Sequence, residues 1–287
     1  MKIALGTAQL GSDYGIANDT GKFDPRAVQS LLDLALSLGV DTIDTAVAYG
    51  DAEAVLGKYS LGAFKVITKV KAAPPELASN VAEWLRASVL KALGRLNIEC
   101  LYAVLLHGTE WLNKDNSEPL THELQRLKSE GFIKFHGLSI YSPTELDDIY
   151  DLTSPDLVQA PYNAFDRRLA TTGWLNTLYG DGVEVHARSL FLQGLLLLPQ
   201  SEIPPHFYRW VDVFDRWHCW LQSEAMDPLS GCLALVKDPR IEKYVVGVDV
   251  ESHLVQLVAA SKNVATAGTL DLGPLDESLV DPRRWRR

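Results

Sequence analysis

Asp41-Thr42-Ile43-Asp44-Thr45-Ala46-Val47-Ala48-Tyr49-Gly50 is a strand-like run that closes on a carboxylate and then, five residues on, sets a tyrosine against a glycine. Such a change from apolar run to polar punctuation marks a strand handing over to a loop and then a helix. It places Asp44 and Tyr49 on one rim. The same handover recurs twice downstream. Phe64-Lys65-Val66-Ile67-Thr68-Lys69 ends a β-branched run on a lysine, and Leu101-Tyr102-Ala103-Val104-Leu105-Leu106-His107 ends another on a histidine. Asp44, Tyr49, Lys69 and His107 all fall at or just past strand ends.

Working outward, further strands are expected over Ile3–Gly6, Asp41–Asp44, Val66–Lys69, Leu101–His107, Ile133–Ser139, Leu157–Gln159, Val183–Ala187 and Lys243–Gly247. Between them lie amphipathic stretches: one from Asp24-Pro25, a cap followed by a first-turn proline, to Gly39, then Leu77–Leu93, Glu118–Ser129, Pro143–Tyr150, Arg167–Tyr179 and Ser252–Ala259. Eight strands alternating with helices predict a parallel α/β sheet closed into a (β/α)8 TIM barrel. No Ser/Gly linker or break in composition divides the chain, so one domain over residues 1–287 is expected. The longest interval between strands carries Trp210, Phe214, Trp217 and Leu221 at helical spacing. That reads as a helix packed on the barrel wall, with an aromatic lid or a subunit contact as the alternatives.

Composition narrows the function classes. At 287 residues and 47% hydrophobic, the chain has enough apolar material for a large core. Thirty-seven acidic residues against 27 basic ones give a net charge of −10, which argues against nucleic acid as a partner, since such binding rests on neutralising phosphates with excess Lys and Arg. Cys100, Cys219 and Cys232 are few, odd in number and set among apolar residues, so a disulfide framework is not expected and a cytoplasmic location fits. No apolar run reaches the roughly 20 residues of a membrane span. Seven scattered histidines without a His-x-His pair argue against a metal-dependent hydrolase, and no metal is expected.

In a β/α barrel, residues at the C-terminal ends of the strands share one mouth. A free phenol has a pKa of about 10 and donates protons poorly near neutrality. A cation beside Tyr49 would favour the phenolate; Lys69 is the candidate, with Asp44 to hold it charged. His107 as neutral imidazole would donate a hydrogen bond to a substrate oxygen. Together they make a proton-donating site for a carbonyl or, in reverse, a proton-accepting site for an alcohol. They supply no electrons.

At this point the chain resembles the aldo-keto reductases. Asp44-Thr45-Ala46-Val47-Ala48-Tyr49-Gly50, the strand closing on Lys69 and Leu105-Leu106-His107-Gly108 are similar, in order and spacing, to that family's active-site tetrad. The likeness continues through Gly131-Phe132-Ile133-Lys134, Gly137-Leu138-Ser139, Val158-Gln159, Tyr162-Asn163 and Gly247. It implies a TIM barrel that binds NADPH, or NADH, across its mouth and reversibly reduces a small-molecule carbonyl, with a monomer as the default. Gly6-Thr7-Ala8-Gln9-Leu10-Gly11 with Tyr14-Gly15 is similar to a bacterial branch linked with sugar and polysaccharide metabolism.

Carried over, the resemblance makes Tyr49 the acid/base, Lys69 and Asp44 its tuners and His107 the group that orients the carbonyl. Ser139 and Gln159 match positions that hold the nicotinamide carboxamide, while Ile140 stands where asparagine is usual. Arg188 replaces a tyrosine that stacks on the nicotinamide; the other reading is a pairing with a rim carboxylate. Gly247 begins the phosphate-binding loop, His253 falls where an arginine holds the 2′-phosphate of NADP, and Gln256-Leu257 replaces a Glu-Asn adenine pair. With Lys237, Arg240 and Lys243 nearby in sequence, NADP(H) is expected to bind about 10 to 100 times more tightly than NAD(H). Trp111, Tyr141, Phe165 and Phe191-Leu192-Gln193-Gly194 are candidate pocket walls. A Schiff-base aldolase using Lys69, and a nucleotide-sensing module with negligible turnover, are the rival readings.

Overall fold

The computed structural model describes residues 1–18, 21–109, 112–113 and 116–285, with the side chains of 75, 78 and 79 excepted. Eight parallel strands close into a barrel in chain order. They are β1 (Ile3–Gly6), β2 (Thr42–Asp44), β3 (Lys65–Lys71), β4 (Leu101–His107), β5 (Ile133–Ser139), β6 (Leu157–Pro161), β7 (Glu184–Arg188) and β8 (Lys243–Gly247). The expected strands match to within two residues at each end. Lys69 is the exception that matters for the site: β3 runs on through Val70 and Lys71, so the lysine lies inside the strand rather than at its end.

Helices α1 (Ala8–Gly11), α2 (Val28–Ser37), α3 (Ala52–Leu56), α4 (Val81–Leu96), α5 (Ser117–Ser129) and α6 (Leu146–Thr153) follow the first five strands. The second half carries α7 (Arg168–Thr171), α8 (Trp174–Gly180), α9 (Val211–Ser223), α10 (Pro228–Val236), α11 (Glu251–Lys262) and α12 (Glu277–Val280). Asp24 caps as expected, accepting from the Arg26 amide at 2.9 Å, but the first turn after Pro25 is 3-10 and α2 starts at Val28. The single helix expected over Arg167–Tyr179 is two, because Gly173 takes a φ of +90° that no helix interior accommodates.

Alternation along the strands divides the interior. Ile67, Ala103, Leu105 and Leu157 form a small apolar cluster, while Val66, Val70, Val104 and Leu106, their neighbours in sequence, join the main core with the helices. Lys69 lies two residues beyond Ile67 and so shares its face of the sheet.

A second apolar cluster lies beside the barrel core. Phe165, Leu192, Leu195, Phe207, Phe214, Trp217, Trp220, Leu279 and Val280 belong to it. The aromatic stretch is therefore a helix, α9, as its spacing predicts, but its buried face meets the loop after β7 and the C-terminal segment rather than the main barrel core. Trp217 stands at its centre, fully buried, edge-on to Phe165 at 6.1 Å and donating from Nε1 to the Leu196 carbonyl at 3.3 Å. Trp217→Ala is expected to cost about 3–5 kcal/mol, the usual penalty for deleting a buried aromatic. Urea unfolding measures it, and a loss under about 1 kcal/mol would show that the cluster collapses without strain.

Candidate active site

Strand register assembles the site. Gly6 pairs with Asp44 on one side and Gly247 on the other, and Ser139 is level with both His107 and Gln159. Those strand ends open on a cavity of about 690 Å³, within the usual range for a small-molecule site. Asp44, Tyr49, His107, Ser139, Gln159, Arg188, Gly247, His253 and Gln256 all line it. Lys69 does not. It sits behind the wall, fully buried, with its Nζ 2.5 Å from Asp44 Oδ1 and 3.0 Å from the Thr45 carbonyl oxygen.

Tyr49 owes its place to backbone contact. It lies on the loop between β2 and α3, where its amide donates to the Ala46 carbonyl at 3.0 Å and its own carbonyl receives the Ala52 amide at 3.1 Å. A Cβ on Gly11 would overlap that same Tyr49 carbonyl, and one on Gly50, whose φ is +57°, would overlap the Gly11 carbonyl. The two glycines let α1 press directly on the loop. The Tyr49 ring then lies 5.2 Å from Lys69 Nζ and edge-on to His107 at 6.4 Å.

Burial, then the Asp44 carboxylate, push the Tyr49 phenol above its ordinary range, and Arg188 works against them. Lys69 is held by Asp44, as the sequence suggests. Its charge is offset by Asp44 in the same ion pair, and burial draws its own pKa down against that pairing. His107 is pulled to about 4, first by burial and then by the Lys69 and Arg188 charges, so its imidazole is neutral near pH 7.

The Gln159 amide has a fixed orientation. Nε2 donates to Asp44 Oδ2 at 2.7 Å, which only the NH2 end can do, and so Oε1 is the other end. That Oε1 and the Ser139 hydroxyl are buried without a hydrogen-bond partner, and both residues line the cavity. An acceptor and a donor left open side by side suit a primary amide, and buried polar groups in native proteins are otherwise paired. The residues thus fit a nicotinamide carboxamide. Ile140 contributes nothing to it, because its side chain lies in the main core and its carbonyl accepts from Arg188 Nη2 at 2.8 Å.

At the β8 end the loop 248–250 leads into α11, whose cap residue Val250 offers no side-chain acceptor to the first-turn amides. That is a setting for an anion. Around it, however, the cations expected from the sequence are absent. Lys243 opens β8 and binds Asp41 at 2.6 Å, Arg240 grips Asp238, and neither they nor Lys237 line the cavity. His253 Nδ1 instead lies 4.0 Å from Asp249 Oδ2, with Glu251 in the same turn.

Of the expected walls, Tyr141 and the Phe191–Gly194 stretch, except its Leu192, line the cavity. Phe165 and Leu192 are buried in the second cluster. Trp111 lies outside the described residues. Two residues that the sequence left without a role also line the cavity. Gln9 has an unpartnered buried Oε1 facing Gly247, where a Cβ would overlap it, and Arg283 arrives from the C-terminal segment. Among the described residues, no three His, Cys, Asp or Glu side chains converge as a metal ion requires, and no helix is long and apolar enough to cross a membrane.

The His107 shift has a stability consequence with a definite sign. The unfolded chain takes up a proton at the ordinary pKa of about 6.5 and the folded one only near 4. This residue's contribution is thus fully present above about pH 6.5 and is lost as pH falls toward 4. An NMR titration of the His107 ring should give a midpoint near 4; a midpoint near 6.5 would show that the imidazole is open to water in the folded protein.

With the geometry in hand, comparison with known proteins gives consistent results. The chain is 26% identical over 206 residues to the "uncharacterized oxidoreductase YqkF" of Bacillus subtilis, covering 68% of this chain and 66% of that protein. It is 27% identical over 147 residues to D-arabinose 1-dehydrogenase of Saccharomyces cerevisiae, covering 48% and 42%. It thus spans about two thirds of one of these curated relatives and under half of the other. In fold it matches the holo form of aldo-keto reductase AKR11C1 from Bacillus halodurans, with a TM-score of 0.72 at 20% identity over 93% of this chain and 88% of that one. The model of the aldo/keto reductase family covers residues 2–269, and the chain belongs to that family.

Proposed function

We propose that the protein is an oxidoreductase that reversibly reduces an aldehyde or ketone, sugars included, to an alcohol with a nicotinamide dinucleotide. The observation that carries this reading is the set of groups lining one cavity: a half-buried phenol, a neutral imidazole, and with them an unpaired hydroxyl and amide oxygen suited to a carboxamide. Ser139 and Gln159 would hold that carboxamide, Gln9 and Gly247 would flank the nucleotide, and the start of α11 with His253 and Gln256 would meet its far end. Bound there, the reduced nicotinamide supplies the hydride that no side chain of the site provides.

The protein's own part is proton transfer and orientation. His107, uncharged, donates a hydrogen bond to the carbonyl oxygen and polarises it without competing for the proton. Tyr49 delivers the proton to the developing alkoxide and takes it back in the reverse direction. The Lys69–Asp44 pair fixes the wall behind the ring, with Nζ 5.2 Å from the ring centroid. An imine-forming role for Lys69 requires an amine that a substrate can reach, and the buried, doubly hydrogen-bonded Nζ is not one. A nucleotide-sensing module would dispense with the proton donor, whereas Tyr49 and His107 both face the cavity.

Tyr49→Phe keeps the ring and removes the acid, so kcat is expected to fall by about 10²–10⁴ with nucleotide affinity retained. Retention of most of the kcat would refute the acid role. The nucleotide is NADPH or NADH with a small margin between them. A 2′-phosphate of nearly two negative charges meets one histidine and the nearby carboxylates Asp249 and Glu251, not a guanidinium fork. The preference for NADP(H) is therefore about tenfold or less, below the larger figure expected from sequence. Fluorescence titration of both nucleotides with the wild type and His253→Ala checks this; a thousandfold preference, or one indifferent to His253, would place the phosphate elsewhere.

A further inference from the structure

Tyr141 is flanked by two guanidinium groups, Arg188 with its Cζ 4.5 Å from the ring centroid and Arg283 at 3.5 Å. All three residues line the cavity with Tyr49 and His107, and the Tyr141 hydroxyl lies 3.5 Å from His107 Nε2. Two guanidiniums beside one ring stand out in a chain whose net charge is −10, with Arg283 ion-paired to Asp281 and Arg188 in no ion pair among the described residues.

Both arginines are tethered within the fold, yet each keeps something for a ligand. Arg188 donates to the Ile140 carbonyl at 2.8 Å and the Ser189 hydroxyl at 3.2 Å, and among the described residues it forms no ion pair. Its charge acts on the site, helping to hold down the pKa of His107 and opposing the rise at Tyr49. Arg283 is aimed by Asp281, which receives Nε at 3.0 Å and Nη2 at 2.8 Å. That leaves Nη1 without a hydrogen bond among the described residues.

The segment that carries Arg283 is anchored by packing. Leu279 and Val280 are buried in the second apolar cluster. Trp285 stands edge-on to Phe207 at 4.8 Å and donates from Nε1 to the Leu279 carbonyl at 3.0 Å. The guanidinium is therefore presented by a built turn, a condition for holding a ligand in one pose.

We infer that the substrate carries an anionic group, a carboxylate or a phosphate, seated on Arg283 and Arg188 beside Tyr141 while its carbonyl faces Tyr49 and His107. The inference rests on the carbonyl-reducing reading above. A guanidinium suits both anions, through paired N–H donors that a neutral substituent does not match. The nucleotide's own phosphates do not explain the pair. The loop suited to them follows β8; Tyr141 follows β5, and Arg188, at the end of β7, turns its Nη2 to the Ile140 carbonyl just after β5.

The test compares matched aldehydes in steady-state kinetics with NADPH and NADH: 4-carboxybenzaldehyde against neutral 4-formylbenzamide, and glyceraldehyde 3-phosphate against glyceraldehyde. In the wild type, kcat/KM should favour the anionic member of at least one pair by about tenfold or more, chiefly through KM. Which pair shows it distinguishes carboxylate from phosphate. In Arg283→Gln that ratio should fall toward one, Arg283→Lys should restore part of it, and added salt should shrink it. Equal efficiency within both pairs, or a ratio unchanged in Arg283→Gln, overturns the inference and leaves carbonyl reduction standing. If no aldehyde is turned over, the carbonyl-reducing reading fails, and calorimetry with 4-(hydroxymethyl)benzoate and 4-(hydroxymethyl)benzamide still decides the anion site. Tighter binding by about tenfold of the benzoate, or of glycerol 3-phosphate over glycerol, lost in Arg283→Gln, supports it, and equal binding within both pairs overturns it.

Discussion

The ion pair between Asp44 and Lys69 is the constraint on which the site depends. Both side chains are at most 2% exposed, and the pair is tied further to the Thr45 carbonyl and the Gln159 amide. Taking two charges out of water is expensive. Such a pair is tolerated where further hydrogen bonds share the load, as the Thr45 carbonyl and Gln159 amide do here, and removing one partner alone typically costs about 3–5 kcal/mol. Here the four groups come from β2, the residue after it, β3 and β6. One polar knot ties three parts of the barrel wall together just below the cavity, and it fixes which end of Gln159 faces the ligand.

Two packing units share the work above that knot. The barrel core supplies rigid strand ends, and the aromatic cluster around Trp217 supports the rim that strand ends alone do not build. The cluster joins the loop after β7, α9 and the C-terminal turn. Specificity in β/α barrels resides in such rim segments, with the chemistry held on the strands.

Much of this was legible in the chain. Alternation and β-branched runs mark the eight strands, and the polar residues that close them mark the mouth. Lys69 misleads, because a lysine reads as the end of a strand when it is in fact an inward position with Val70 and Lys71 still to come. Helices α1, α3 and α12 have four or five residues each, too few for a 3.6-residue period to show. Closeness in sequence also misplaced a charge. Lys243 is four residues from Gly247, but along a strand that is about 13 Å and the full height of β8. The Gln159–Asp44 bond spans 115 residues, and the Arg283–Tyr141 contact joins the end of the chain to its middle. No local pattern records either one.

The contact between Gly11 and the Tyr49–Gly50 backbone bears on how such a site withstands divergence. The acid residue is located by main chain pressed on main chain, with no intervening side chain whose size has to be kept. Core residues around the barrel can therefore be exchanged, with compensation, without moving the phenol. The two glycines admit no such exchange, since any Cβ there drives α1 away from the loop. Sequence drift is channelled into the walls and rim, where it alters what is bound, while the position of the proton donor is inherited almost as a property of the backbone.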